Sequence, residues 1–289
     1  EDAAVAETFA ESDTAGAWVI NNSWGPMDGL PPVIEAEESV AEPLSDVITD
    51  ILASVANEGR DGQGVSIVFA AGNGNESVDS DAFVSNPNTI GVAAVSSLGV
   101  KSFSSDFGDG VWVSAPSDGA IGIVTSDIRG DYGYNGTGED QLDPSGNTTD
   151  MFGGTSSAAP AVSGLLGLIY SANPALTAAQ AKDILRRTSR KIDQYNGAYT
   201  PDSEGFLWSP YYGYGLVDAR AAVRAAMIGC SSESSDQCIP ATTCDDGPLE
   251  NIPEICNGID DDCDGEVDEE ACAEAPTPCS TCNLSGNCD

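Results

Sequence analysis

Residues Val65–Asn73 read VSIVFAAGN, an apolar run that ends in a Gly-Asn pair. A short run of this kind, rich in Val, Ile and Phe, predicts a strand that is buried on both faces. Strands of this type occur in parallel sheets that are covered by helices on both sides. The run therefore predicts an α/β fold, and the flanking sequence should alternate between helix and strand patterns.

The segment before this strand has a helical period. Apolar residues recur at intervals of three and four positions: Leu44, Val47, Ile48, Ile51, Leu52 and Val55. This spacing is typical of one face of an amphipathic helix. The helix should end near the NEGRDGQG segment, just before the strand.

Further strand patterns are AWVINNSWG (Ala17–Gly25), TIGVAAVS (Thr89–Ser96), VWVSAP (Val111–Pro116) and IGIVTSD (Ile121–Asp127). Later in the chain, the sequence predicts a helix from about Ser156 to Tyr170 and a second one that begins at Thr177 with a capping box. The expected fold class is therefore α/β, a three-layer, doubly wound and mostly parallel sheet over residues 1–228.

The sequence MFGGTSSAAP (residues 151–160) opens the first of these helices and places Ser156 at its positive end. Ser156 could cap the helix, or it could be a nucleophile beside backbone N–H groups that hold an oxyanion. Asn73 follows a buried strand, so its side chain is a candidate second donor to that oxyanion; it could also be an ordinary turn residue.

Four motifs, NNSWGP, FAAGNGN, GGTSSAAP and YGYGLVDA, resemble in their order and spacing the C-terminal half of the subtilisin-like serine peptidases. The resemblance covers roughly residues 17–227. It implies that Ser156 is the nucleophile and that Asn73 is the oxyanion-hole asparagine. It also implies that Ser23, Trp24 and Gly25 form the strand that binds the substrate backbone.

SWGPMDG and IVTSDIRG are similar to segments of the kexin and furin branch of that family. This similarity implies that Asp28 and Asp81 line a pocket for Arg or Lys side chains. It also implies that Asp79 binds Ca²⁺, with Asp106 as a further ligand. Buried carboxylates need such cationic partners, although the same acids could simply be solvated loop residues.

The chain contains no histidine. In the resembled family the chain order is Asp, His and then Ser, so the base that activates Ser156 is expected upstream of residue 1. The alternative is a catalytically dead relative that binds peptides or acts as a surface-adhesion module.

All nine cysteines lie between Cys230 and Cys288, in an acidic segment that we expect to be a separate module, residues 229–289. Their density predicts disulfides and a secreted or cell-surface protein, with one cysteine left over. Four aspartates in this tail have the alternating spacing of a Ca²⁺ loop: Asp260, Asp262, Asp264 and Asp268. Zinc binding and a solvated acidic linker are the alternatives.

The formal net charge of −37 argues against nucleic acid and anionic membranes as partners. No apolar run reaches the length of a membrane-spanning helix. The expected partners are therefore protein or peptide substrates with basic residues, together with the upstream segment.

Overall fold

The computed structural model describes residues 2–26, 43–119, 122–129, 132–135 and 146–228. All of them belong to one unit, Glu1–Cys238. Four strands form a parallel sheet in which the spatial order follows the chain order: β1 (Val19–Asn22), β2 (Ser66–Ala70), β3 (Thr89–Val95) and β4 (Val111–Pro116). The predicted parallel sheet is thus confirmed.

Helices cover both faces of this sheet: α1 (Asp2–Thr14), α2 (Asp46–Gly62), α3 (Thr155–Ala172), α4 (Ala178–Thr188) and α5 (Ala219–Ile228). The side chains of β2 alternate between the two layers. Ile67 and Phe69 pack with α1 and α2, whereas Val68 and Ala70 pack with the other three helices. Since successive side chains of a strand point to opposite faces, this alternation establishes the three-layer architecture.

The expected alternation of strand and helix holds only between β1 and β2, which α2 connects. Residues 71–88 join β2 to β3 with a single 3₁₀ turn, Val78–Ser80, and β3 leads to β4 without a helix. The helices α3, α4 and α5 follow all four strands and cover one face together. A strand pattern predicts the direction and burial of a strand, but it does not reveal which later element covers it.

The strand predicted at residues 121–127 forms, but it does not join the main sheet. Its described part, β5 (Ile123–Ser126), pairs in an antiparallel manner with β6 (Thr148–Phe152). A further short pair is β7 (Thr200–Pro201) and β8 (Leu207–Trp208). The side chains of β5 alternate between intermediate and exposed. This pattern suits a hairpin at the surface.

The predicted amphipathic face of α2 is correct for Ile48, Leu52 and Val55, which are buried. The prediction is wrong for Val47, which lies at the start of the helix and is 49% exposed.

The regular part of α2 ends at Gly59, and Arg60 adopts a left-handed φ of 51°. Its guanidinium then lies over the ring of Trp18, 3.8 Å from the ring centroid. This cation–π contact stabilises the turn of the chain at the end of α2.

The later helices begin and end near the predicted residues. The helix α3 ends at Ala172, and Asn173 caps it. Thr177 forms the expected capping box with Gln180 at the start of α4. These boundaries depend on local hydrogen bonds, which is why the sequence predicts them well.

The loops that follow β1, β2 and β4 all leave the sheet at the carboxyl ends of parallel strands, so they share one edge. In open α/β sheets this edge is where ligands bind. The N-terminus of α3 contacts all three loops there. The fold therefore brings Ser156 to the expected edge.

Candidate active site

Ser156 is the second residue of α3 and is half-buried. The residue before the helix, Gly154, has a φ of 70°, which favours glycine and turns the chain sharply into the helix. Within the described residues, no hydrogen bond engages the Ser156 hydroxyl. The hydroxyl is therefore presented at the positive end of the helix dipole.

The carbonyl of Ser156 has an unusual partner. Pro160 lies inside α3 and has no N–H to donate to the carbonyl four residues earlier. The hydroxyl of Ser23 donates to that carbonyl instead, at 3.0 Å. Ser23 thus joins the loop after β1 to the serine itself, a role that the sequence did not reveal.

Asn73 lies in the loop after β2 and is exposed. Its side-chain oxygen accepts the Thr155 N–H at 2.9 Å, and it lies 3.2 Å from the Thr155 hydroxyl, which donates to it. This contact directs the amide nitrogen of Asn73 away from the backbone that it caps. Among the described residues, neither that nitrogen nor the Ser156 N–H has an acceptor. Both donors therefore remain available near the start of α3.

Trp24 and Gly25 directly follow Ser23, whose hydroxyl donates to the Ser156 carbonyl. The Trp24 ring packs edge-on against Phe69 and Phe83, with ring centroids 5.4 and 5.3 Å apart. A Cβ on Gly25 would lie 3.3 Å from a carboxylate oxygen of Asp81. The structure thus places Asp81 close to the segment that the sequence predicts to bind substrate.

The other carboxylate oxygen of Asp81 accepts the N–H of Phe83 at 2.9 Å and lies 3.3 Å from the Val84 nitrogen. These hydrogen bonds fix the position of the Asp81 carboxylate next to Gly25.

Asp79 lies in the 3₁₀ turn between β2 and β3, and Asp106 lies between β3 and β4. The Asp79 carboxylate accepts the Asp109 N–H at 3.3 Å, and Asp106 is buried and accepts the Glu76 N–H at 2.9 Å. The Lys101 ammonium donates to the Asn75 side chain and to the Ser105 carbonyl. Burial lowers the pKa of Lys101, and the negative charge of Asp106 opposes that shift.

In the described ranges, no three His, Cys, Asp or Glu side chains gather at one point as metal ligands would. Asp28 and the four tail aspartates, Asp260, Asp262, Asp264 and Asp268, lie outside the described residues. The sequence-based metal assignments consequently stay predictions. The described helices also include none that is both long and apolar enough to cross a bilayer.

Sequence reasoning missed Asp118, which follows β4. Its carboxylate accepts the Gly154 N–H at 2.7 Å, directly before the helix that carries Ser156. A Cβ on Gly153 would lie 2.5 Å from the Asp118 Cβ. The Gly-Gly pair was the available signal, since adjacent glycines often mark a close approach of another group to the backbone.

The chain is similar to known proteases in sequence and in fold. Residues 1–215 match the Subtilase family of peptidases. A calcium-dependent protease of Nostoc sp. is 40% identical over 232 residues, which cover 77% of this chain and 34% of that protein. A kexin of Candida albicans is 31% identical over 208 residues, or 71% of this chain and 20% of the kexin.

Among solved structures, the serine protease of Aeromonas sobria superposes with a TM-score of 0.63 at 26% identity. The superposition covers 73% of this chain and 44% of that protein. The chain thus spans about a third of the Nostoc relative and less than half of the Aeromonas structure. The family match extends over most of the described unit, and the chain belongs to the subtilase family.

Proposed function

We propose that this protein is a serine endopeptidase in which Ser156 attacks the scissile carbonyl of a peptide. The observation that carries the proposal is the hydrogen bond from the Thr155 N–H to the Asn73 side-chain oxygen. This contact leaves the Asn73 amide nitrogen and the Ser156 N–H as two donors near the start of α3. Such a pair is what a tetrahedral oxyanion requires.

Ser156 needs a general base, because a serine hydroxyl is a weak nucleophile at neutral pH. The chain has no histidine, so we propose that the histidine and the aspartate that orients it come from sequence upstream of residue 1. The histidine would take the hydroxyl proton during attack and return it to the leaving amine. The chain by itself would then be inactive.

Labelling of the protein isolated from its source with a fluorophosphonate tests this function, with the adduct located by mass spectrometry. We expect the label on Ser156, since only an activated serine reacts. The neighbouring Ser157 is the internal control, because it is buried and hydrogen-bonded to Ser117. A folded protein that takes no label at Ser156 would contradict the proposal.

That outcome would favour the second candidate, a catalytically dead relative that keeps the cleft and binds peptides or adheres to surfaces. The absence of histidine in this chain is the observation that favours it. The nine clustered cysteines support a secreted or cell-surface location under both candidates.

We further propose that the substrate has a basic residue before the scissile bond. The support is the position of the Asp81 carboxylate against Gly25, together with the similarity to a kexin. Asp28 would supply a second carboxylate. An acidic pocket wall attracts Arg and Lys side chains and leaves its own charge uncompensated when an apolar side chain enters.

Paired fluorogenic peptides that differ only in Arg or Leu at that position measure this preference. We expect kcat/KM to favour Arg by roughly 10²-fold, equivalent to about 3 kcal/mol for a charge pair that is partly removed from water. Asp81→Asn should reduce the ratio, and Asp50→Asn, an exposed acid on α2, should leave it unchanged. Equal cleavage of both peptides by the unaltered protein would remove Asp28 and Asp81 from this role.

We propose Ca²⁺ as the cofactor, bound near Asp79 and Asp106 and again by Asp260, Asp262, Asp264 and Asp268. Carboxylate oxygens suit this ion, and a relative is named a calcium-dependent protease. The described carboxylates do not complete a site by themselves.

Removal of Ca²⁺ with a chelator should lower the free energy of unfolding by about 2–3 kcal/mol when the ion had been present at about 100 times its Kd. Thermal unfolding measured by circular dichroism, with and without added Ca²⁺, checks this. Asp79→Asn should make part of the difference disappear, whereas Asp50→Asn should not. Identical melting curves with and without chelator would contradict the calcium proposal.

A further inference from the structure

The two glycines before Ser156 are each approached closely by a side chain. A Cβ on Gly153 would lie 2.5 Å from the Asp118 Cβ, and one on Gly154 would lie 2.6 Å from the Asn73 side-chain oxygen. Real Cβ atoms do not come this near to other heavy atoms. The Gly-Gly pair therefore allows two side chains, from the loops after β4 and β2, to reach the backbone on either side of the helix start.

These side chains accept consecutive backbone N–H groups. Asp118 accepts that of Gly154 at 2.7 Å, and Asn73 accepts that of Thr155 at 2.9 Å. The next N–H along the chain, that of Ser156, is the first one without an acceptor in the described structure. The two caps together determine which N–H group is left for an oxyanion.

Asp118 is itself firmly held. The Ser117 N–H donates to Val95 at 2.7 Å, in continuation of the β3–β4 pairing. The Ser102 hydroxyl donates to the Asp118 carbonyl at 2.8 Å. The Ser117 hydroxyl lies 3.0 Å from the Asp118 carboxylate and 2.7 Å from the Ser157 hydroxyl. The carboxylate is thus linked to both the sheet and the first turn of α3.

We propose that Asp118 is a positioning residue for Ser156. The Asp118 carboxylate accepts the Gly154 N–H and so orients the turn that aims the Ser156 hydroxyl and N–H at the substrate carbonyl. A charged acceptor makes a stronger hydrogen bond than a neutral one, and a negative charge is favourable at a helix N-terminus. Asp118 does not contact the substrate in this proposal, which rests on the proposed peptidase function.

Asp118→Ala in the complete natural protein should lower kcat about 10- to 100-fold, because a displacement of about 1 Å at the reacting atoms is worth up to about 10²-fold. KM should change little, since the segment Ser23–Gly25 is untouched. Asp118→Asn keeps an acceptor oxygen at the same place, so it should recover most of the activity. The matched control is Asp50→Ala, which removes an equal charge from an exposed position on α2.

Two further measurements separate positioning from general destabilisation. The rate of fluorophosphonate labelling at Ser156 should fall in parallel with kcat in Asp118→Ala. Hydrogen exchange over residues 153–157 should accelerate in that variant and stay near the wild-type rate in Asp118→Asn. If Asp118→Ala does not fold, the same measurements are made on Asp118→Asn and Gly153→Ala. The methyl group added in Gly153→Ala would push the Asp118 carboxylate away.

Failure of the positioning role of Asp118 can be distinguished from failure of the proposed peptidase function. A labelled wild type with an Asp118→Ala variant that labels and turns over equally fast would overturn the positioning role alone. An Asp118→Asn variant as impaired as Asp118→Ala would overturn it too, because the acceptor oxygen would then not be what matters. A wild type that takes no label at Ser156 would overturn the peptidase function and the positioning role together.

Discussion

Ser156→Ala is expected to reduce turnover by the complete protein on the order of 10⁶-fold, the loss known for subtilisin, which belongs to the same family. The reason is that the hydroxyl is the only group on this side chain that can attack the substrate carbonyl. The fold should be unaffected, because the half-buried hydroxyl makes no hydrogen bond within the described residues. Steady-state hydrolysis of a peptide and thermal unfolding of the variant measure both effects.

Ser157→Ala is the matched control for this substitution. The Ser157 hydroxyl is buried and lies 2.7 Å from that of Ser117, so its loss should cost about 1 kcal/mol of stability. Its turnover should stay far above that of Ser156→Ala. Turnover by Ser156→Ala close to that of the wild type would remove Ser156 from the chemistry.

Asn73→Ala is expected to lower kcat by about 10²–10³-fold, the loss that follows removal of one oxyanion-hole donor in subtilisin. KM should change little, since the Asn73 amide nitrogen would bind the oxyanion only in the transition state. The variant should also lose stability, because the Thr155 N–H loses the acceptor that lies 2.9 Å away. Steady-state kinetics with one peptide and chemical denaturation separate the two losses.

The Asn73→Asp variant distinguishes the role of the side-chain oxygen from that of the amide nitrogen. The aspartate keeps an oxygen for the Thr155 N–H but replaces the donor nitrogen by a second, negatively charged oxygen. We therefore expect stability near that of the wild type and a loss of kcat at least as large as in Asn73→Ala. The control is Asn75→Gly, which preserves the positive φ of 53° at that position. Unchanged kcat in Asn73→Asp would contradict the oxyanion role.

The parts of the fold that depend on near neighbours could be read from the sequence. The capping box at Thr177, the end of α3 before Asn173 and the buried β2 strand were all predicted, because hydrogen bonds and apolar periods within a few residues specify them. The strand predicted at residues 121–127 forms as β5, but its antiparallel pairing with β6 could not be read from the sequence, because a strand pattern does not specify the partner strand. The predicted burial of Val47 was wrong, because burial at the first turn of a helix depends on which other elements pack against it.

The sequence by itself determined the order of the motifs, and with it the family and the candidate nucleophile. The tertiary structure alone decided how that nucleophile is held. Asp118 caps Gly154 across 36 positions of the chain, and the Ser23 hydroxyl reaches the Ser156 carbonyl across 133. Contacts between such distant residues arise only when parallel strands bring their carboxyl ends to one edge of the sheet, and no local pattern of residues encodes which side chains then meet.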